Sequence, residues 1–189
     1  ASGGGGASAR GGSTGGSGYG TGTEVNFVPF IPAREEKRIA FGNPEKHGIM
    51  AIVILATEGV PSGSITIDGV DNSGDAPALG QSLSVLGYLR IAHDLPADRI
   101  AKAKIQFRAE KSLLAARGIT ADNVALYRYA NGSWSALPTR VTGSDASFAF
   151  FEADSPGFSM FAIAGKATEQ PVAAGPTEQG GTAPGAEAP

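Results

Sequence analysis

Four oxygen-bearing side chains, Asp68, Asp71, Asn72 and Asp75, crowd the start of a glycine-rich stretch, DGVDNSGDAPALG, at 68–80. Hard carboxylate and amide oxygens at that density suit calcium, and glycines let the backbone wrap an ion. The spacing departs from the EF-hand loop, and the same residue types are ordinary turn formers. Asp68, Asp71 and Asp75 are therefore candidate calcium ligands, with plain turn chemistry as the alternative. No other cofactor is suggested. The chain has two histidines, His47 and His93, and no cysteine, which removes disulfides, thiolate chemistry and zinc sites built on sulfur. Two isolated histidines without a ligand-like spacing read as surface residues. The run Gly157-Phe158-Ser159-Met160-Phe161 lacks the closing glycine of a hydrolase nucleophile elbow. No set of acid, base and nucleophile can be assembled, so the expectation is a protein that is not an enzyme.

Asn131-Gly132-Ser133 is an acceptor sequon for N-glycosylation. It coincides with the Asn-Gly pair of a two-residue hairpin turn, which alone would justify both residues. Aromatic side chains are frequent between Tyr127 and Phe161 and could form a sugar platform. Period-two alternation turns several of them inward, which leaves Tyr129 and Trp134, flanking the turn, as the accessible pair.

The elements that must position these residues are strands. Alternating or apolar runs occur at 23–30, 34–41, 49–56, 63–70, 83–92, 103–109, 124–129, 133–137, 146–153 and 158–164. Pro29 and Pro32 confine the first to an edge or a strand end. Residues 42–48 (GNPEKHG) are a turn by composition, and Gly87 suggests a bulge or a close contact. Residues 110–117 (EKSLLAAR) are good helix formers stopped by Gly118. Nine or ten short strands with one short helix indicate an all-β fold, an antiparallel β-sandwich.

Low-complexity tails flank this core. Residues 1–23 hold eleven of the 28 glycines and a single charge, Arg10. Residues 167–189 are rich in Pro, Ala, Gly, Thr and Glu, and neither tail offers enough apolar surface to offset its ordering entropy. The division expected is an arm at 1–23, a sandwich domain at 24–166 and a linker at 167–189. The formal net charge of -3 owes most to Glu169, Glu178 and Glu187 of that linker. No basic stripe for nucleic acid and no polybasic lipid anchor is present. No apolar run approaches the ~20 residues of a membrane span. The small residues at the start, Ala-Ser-Gly, resemble what signal-peptide removal leaves, so an extracellular location is expected.

Three blocks in the second half carry a more specific signal: AKIQFRAEKS (103–112), ITADNVALYRYANGSWSALPT (119–139) and FFEADSPGFSMFAIAG (150–165). Their order and the Ser155-Pro156-Gly157-Phe158-Ser159 element resemble the archaeal PGF-pre-PGF domain, a module of secreted or cell-surface proteins. The resemblance implies a surface location and brings no catalytic residues with it. In that family a low-complexity linker leads to a C-terminal sorting or anchoring segment.

Runs 49–56, 146–151 and 158–164 are apolar on nearly every position, more than a two-layer sandwich needs, and suggest cover from another subunit. The glycine arm leads into a strand that could be donated to a neighbour, which makes Val25, Phe27, Val28 and Phe30 candidate assembly residues. The function expected is a structural subunit of an archaeal surface assembly (filament, sheath or surface layer), with the chain itself as main partner. The alternative is a surface-displayed adhesion or carbohydrate-binding module, with glycans or other surface proteins as partners.

Overall fold

The computed structural model describes residues 19–71, 77–80 and 82–168. Two antiparallel sheets pack face to face, the β-sandwich that strand alternation indicates. In spatial order the first sheet holds β1 (Gly22–Val28), β4 (Gly63–Val70), β5 (Ser84–His93), β11 (Met160–Ala167), β7 (Ile119–Ala130) and β8 (Ser133–Ala136). The second holds β2 (Glu36–Ala40), β3 (Ile49–Ala56), β6 (Ile100–Glu110), β10 (Phe148–Ser155) and β9 (Thr139–Ser144).

Side chains alternate across each strand, so every second residue reaches the interface between the sheets. Ile52, Ile54, Ile105, Phe107 and Phe151 from the second sheet meet Ile65, Ile67, Leu89, Leu126, Phe161 and Ile163 from the first. Phe107 and Phe151 face each other across the β6–β10 ladder and stack with ring centroids 5.0 Å apart.

Among the described residues there are eleven strands where nine or ten are expected, and the additional one is β9. Its sequence, TRVTGS, has one large apolar residue and a glycine, because an edge strand with little buried surface needs no alternation. The helix expected at 110–117 is α2 (Lys111–Ala116), with Gly118 at φ 63. The turn at 42–48 contains one helical turn, α1 (Pro44–His47), with Pro44 at its first position and Gly48 at φ 79 closing it. Asn131 and Gly132 both take positive φ, 52 and 79, as a tight hairpin between β7 and β8 requires. At Gly87 the β5–β11 register slips by one residue, which accounts for a glycine inside that strand.

The sandwich also takes in residues assigned by composition to the arm. β1 begins at Gly22, and the Tyr19 hydroxyl donates to the Arg108 carbonyl. Burial pushes the Tyr19 phenol well above its ordinary range, with the Arg108 charge pulling the other way. Gly48 makes room for this ring, since a Cβ there would lie 2.9 Å from Tyr19 Cζ and 2.8 Å from Ile163 Cδ1.

The apolar outer face of β11 finds cover within the chain, so no covering subunit is needed there. On β11, Ala162 and Ala164 are fully buried on the outward side. They lie under Leu79 of the β4–β5 connection, with Leu83, Val85, Tyr88, Tyr127 and Trp134 around them. On β3 the outward Val53 and Leu55 are only half-buried. Their ladder neighbours Glu36, Arg38, Lys102 and Lys104 carry long side chains, whose aliphatic stems shield apolar surface while the charges stay in water. Phe148 of β10 lies under the Arg108 guanidinium, 4.1 Å from ring centroid to Cζ.

Candidate functional site

β1 is the edge strand of the first sheet, paired only with β4 among the described residues. Its two faces differ. Thr23, Val25 and Phe27 point outward, whereas Glu24, Asn26 and Val28 turn toward the second sheet. Val25 is 60% exposed, Phe27 70%, and Phe30, just beyond the strand, 61%. Val28 is fully buried, so it belongs to the core and not to the assembly surface expected of it. Period two explains the correction: Val28 stands an odd number of positions from Val25 and Phe27 and must face the other way.

The inward face of β1 is fastened by polar contacts. The Glu24 carboxylate accepts hydrogen bonds from the Gly42 N–H at 2.6 Å and the Asn43 N–H at 3.0 Å. His47 Nε2 lies 3.1 Å from the same carboxylate, and His47 Nδ1 accepts the Ile49 N–H at 3.1 Å. Because Nδ1 is an acceptor, Nε2 carries the proton and donates to Glu24, which fixes a neutral tautomer. Burial lowers the His47 pKa, outweighing the raising effect of Glu24. For Glu24, burial pushes the pKa up, yet the Gly42, His47 and Asn43 hydrogen bonds together hold it below the ordinary carboxylate value. Asn26 Nδ2 donates to the Ala40 carbonyl of β2 at 2.6 Å, closing this side of the sandwich.

On the opposite side, between β7 and β9, an apolar cleft of about 270 Å³ opens to solvent. Leu114 and Ala115 of α2, Ile119 and Ala121 of β7, Val141 of β9 and Ala149 of β10 line it. Val141, 42% exposed, is the remaining exposed large hydrophobic among the described residues. Lys111 and Ser144 supply a polar rim.

The calcium candidates are not brought together by what is described. Asp68 lies on β4 and accepts the Thr23 hydroxyl at 2.5 Å, and Asp71 is exposed just after the strand. Asp75 and Asn72 lie outside the described residues, and among those described no group of three or more potential metal ligands occurs. Asn131 is exposed at its turn, accessible to modification. Tyr129 and Trp134 are half-buried and engaged: Trp134 Nε1 donates to the Pro77 carbonyl at 2.7 Å, and its ring lies 5.3 Å from Tyr129 and 6.0 Å from Tyr88.

Sequence reasoning does not find the Glu24–His47 fastening, the Tyr19 anchor or the cleft. A charge on the inward face of an edge strand is the signal that points to Glu24. No family model matches the chain, and no curated protein matches it. Among the described residues no helix is long and apolar enough to cross a membrane.

Proposed function

We propose that this protein is a structural subunit of an extracellular surface assembly, a filament, sheath or surface layer, that polymerises head to tail. In this reading the β1 edge of one copy seats Phe27 and Phe30 against the apolar cleft between β7 and β9 of the next. The observation that carries it is the placement of the exposed large hydrophobics. Among the described residues these are Val25, Phe27, Phe30 and Val141, three at one edge of the sandwich and one at the cleft on the opposite edge. Two different, complementary patches on opposite sides make a heterologous contact, which propagates head to tail and gives an open filament where the rotation from copy to copy does not close a ring.

The strand itself supports pairing. Edge strands are normally guarded by charge, shortness or bulges. β2 carries Glu36, Lys37 and Arg38, β8 is four residues long, and the β9–β10 register slips at Phe150/Phe151. β1 presents seven residues with Val25 and Phe27 outward and only Glu24 charged, and that charge faces the second sheet. A neighbour could extend the sheet there by backbone hydrogen bonds while the rings fill the cleft.

The resemblance of 103–165 to the PGF-pre-PGF domain supports the surface location, archaeal in that family. With that location, glycosylation at Asn131 follows as part of the same proposal. The carbohydrate-binding alternative has less support, because Trp134 and Tyr129 hold the segment around Pro77 and Leu79 to the sheet. Light scattering and negative-stain imaging over a concentration series test the proposal. The unaltered chain should form linear polymers, and Phe27→Asp or Val141→Asp should leave monomers with an unchanged circular dichroism spectrum. A chain that stays monomeric throughout, or polymers indifferent to both substitutions, would refute it.

A further inference from the structure

A second cleft, of about 230 Å³, lies at the end of the sandwich where the chain crosses from β10 to β11. The first sheet gives it His93 at the end of β5 and Arg128 of β7, and the second gives Ile100 at the start of β6. The crossing segment itself, Pro156, Gly157 and Phe158, forms a wall. Ser155 Oγ donates to the Gly157 carbonyl at 2.6 Å and fixes the turn of that wall.

Two nitrogens in this cleft lack partners. His93 Nδ1 and Arg128 Nε are buried atoms without a hydrogen bond. Arg128 forms no ion pair among the described residues. Register explains how an arginine comes to be here: Arg128 stands opposite the fully buried Phe161, so its side chain leaves the sheet on the inward face. Its guanidinium passes close to Gly157, where a Cβ would be 3.4 Å from Nη2. Phe158 packs edge-on against the His93 ring with centroids 5.1 Å apart, holding the imidazole in place. The nearest acid by sequence, Asp94, is committed elsewhere, accepting the Ser64 N–H at 2.6 Å and the Ser64 hydroxyl at 3.0 Å.

The Arg128 guanidinium is half-buried with its Nε unpartnered and, among the described residues, no carboxylate beside it, and the strongest match to a guanidinium fork is a carboxylate. The His93 imidazole on the same wall can add a second donor. The rest of the wall, Phe158, Ile100 and Pro156, is apolar and suits a short hydrocarbon body. We infer that the cleft at the β10–β11 crossing is a binding site for a small carboxylate with an apolar body, held by Arg128 and His93. This site is separate from the assembly edges and does not depend on them.

The test uses the full chain with labelled histidine, titrated with propionate or with its neutral counterpart propionamide at fixed pH and ionic strength. The protein's two histidines give two imidazole signal sets. His47, whose two ring nitrogens are already occupied at the Glu24 fastening, serves as the internal control. Propionate should shift the His93 nitrogens saturably, leave His47 in place, and have no counterpart with propionamide. Arg128→Gln should weaken the response about tenfold or more without lowering the melting temperature, since Arg128 has no ion pair to lose. His93 signals unmoved by propionate, moved equally by propionamide, or moved equally in R128Q would each overturn the inference. The amide comparison within the unaltered chain keeps the test decisive if R128Q folds poorly.

Discussion

At the scale of single residues, the Glu24–His47 pair decides how the edge strand is held. Three donors converge on one carboxylate, and one of them is an imidazole that must stay neutral to keep the Ile49 N–H. Both pKa values are depressed in the folded chain. For each group, then, protonation favours the unfolded state, and stability present at neutral pH is lost on acidification. The loss from His47 starts as pH falls through its unfolded value of about 6.5, and that from Glu24 follows below about 4.3. Melting temperature recorded from pH 7.5 down to about pH 2.5 should fall in that order, and His47→Gln should flatten the first part of the curve. Glu24→Gln weakens the acceptor of three donors and should cost about 1–3 kcal/mol at pH 7 by chemical denaturation. These residues are hard to read from sequence because they lie 23 positions apart in no motif. The pairing of β1 with β4, and not any local pattern, places Glu24 beside α1.

At the scale of elements, strand positions are legible wherever one face is buried and the other wet. Alternation finds β4 and β6, a nearly continuous apolar run finds β10, and the Asn-Gly pair finds the β7–β8 hairpin. β9 is not legible, since a strand with five of six residues exposed carries almost no periodic signal. The doubly apolar pattern of β11 misleads in a different way. Its outer alanines lie under Leu79, a residue in a stretch whose composition suggests only turns and calcium ligands. Leu79 thus belongs to a second, smaller apolar cluster on the outside of the first sheet. Leu79→Ala should destabilise by about 2–3 kcal/mol and shift Trp134 emission to longer wavelength, because the indole loses its cover. An unchanged emission maximum would mean that this segment does not shield the ring.

At the scale of the whole molecule, magnitudes decide what the proposed contact must contain. Burying one phenylalanine side chain yields about 1.5–3 kcal/mol, whereas bringing two proteins together costs roughly 4–15 kcal/mol. Phe27 and Phe30 in the cleft would therefore not suffice alone, and extension of the β1 edge by backbone hydrogen bonds has to contribute. The sandwich fold is legible in the sequence, but the two halves of this contact are not equally so. Val25, Phe27 and Phe30 stand out as apolar residues next to a glycine-rich arm. The cleft does not, because Leu114, Ile119, Val141 and Ala149 come together only through the packing of α2, β7, β9 and β10.

Because the chain has no cysteine, that contact can be tested directly. Val25→Cys chains and Ser144→Cys chains, each retaining Phe27, Phe30 and Val141, are mixed and joined with a short bis-maleimide. Mass spectrometry of the products then reads which edges meet. Head-to-tail assembly predicts that the mixture yields mostly mixed links, V25C of one chain to S144C of another, and that either variant alone yields few. Links confined to pairs of V25C chains would show a closed two-fold contact, and no links above a denatured control would show no contact, so either result would contradict the proposed assembly.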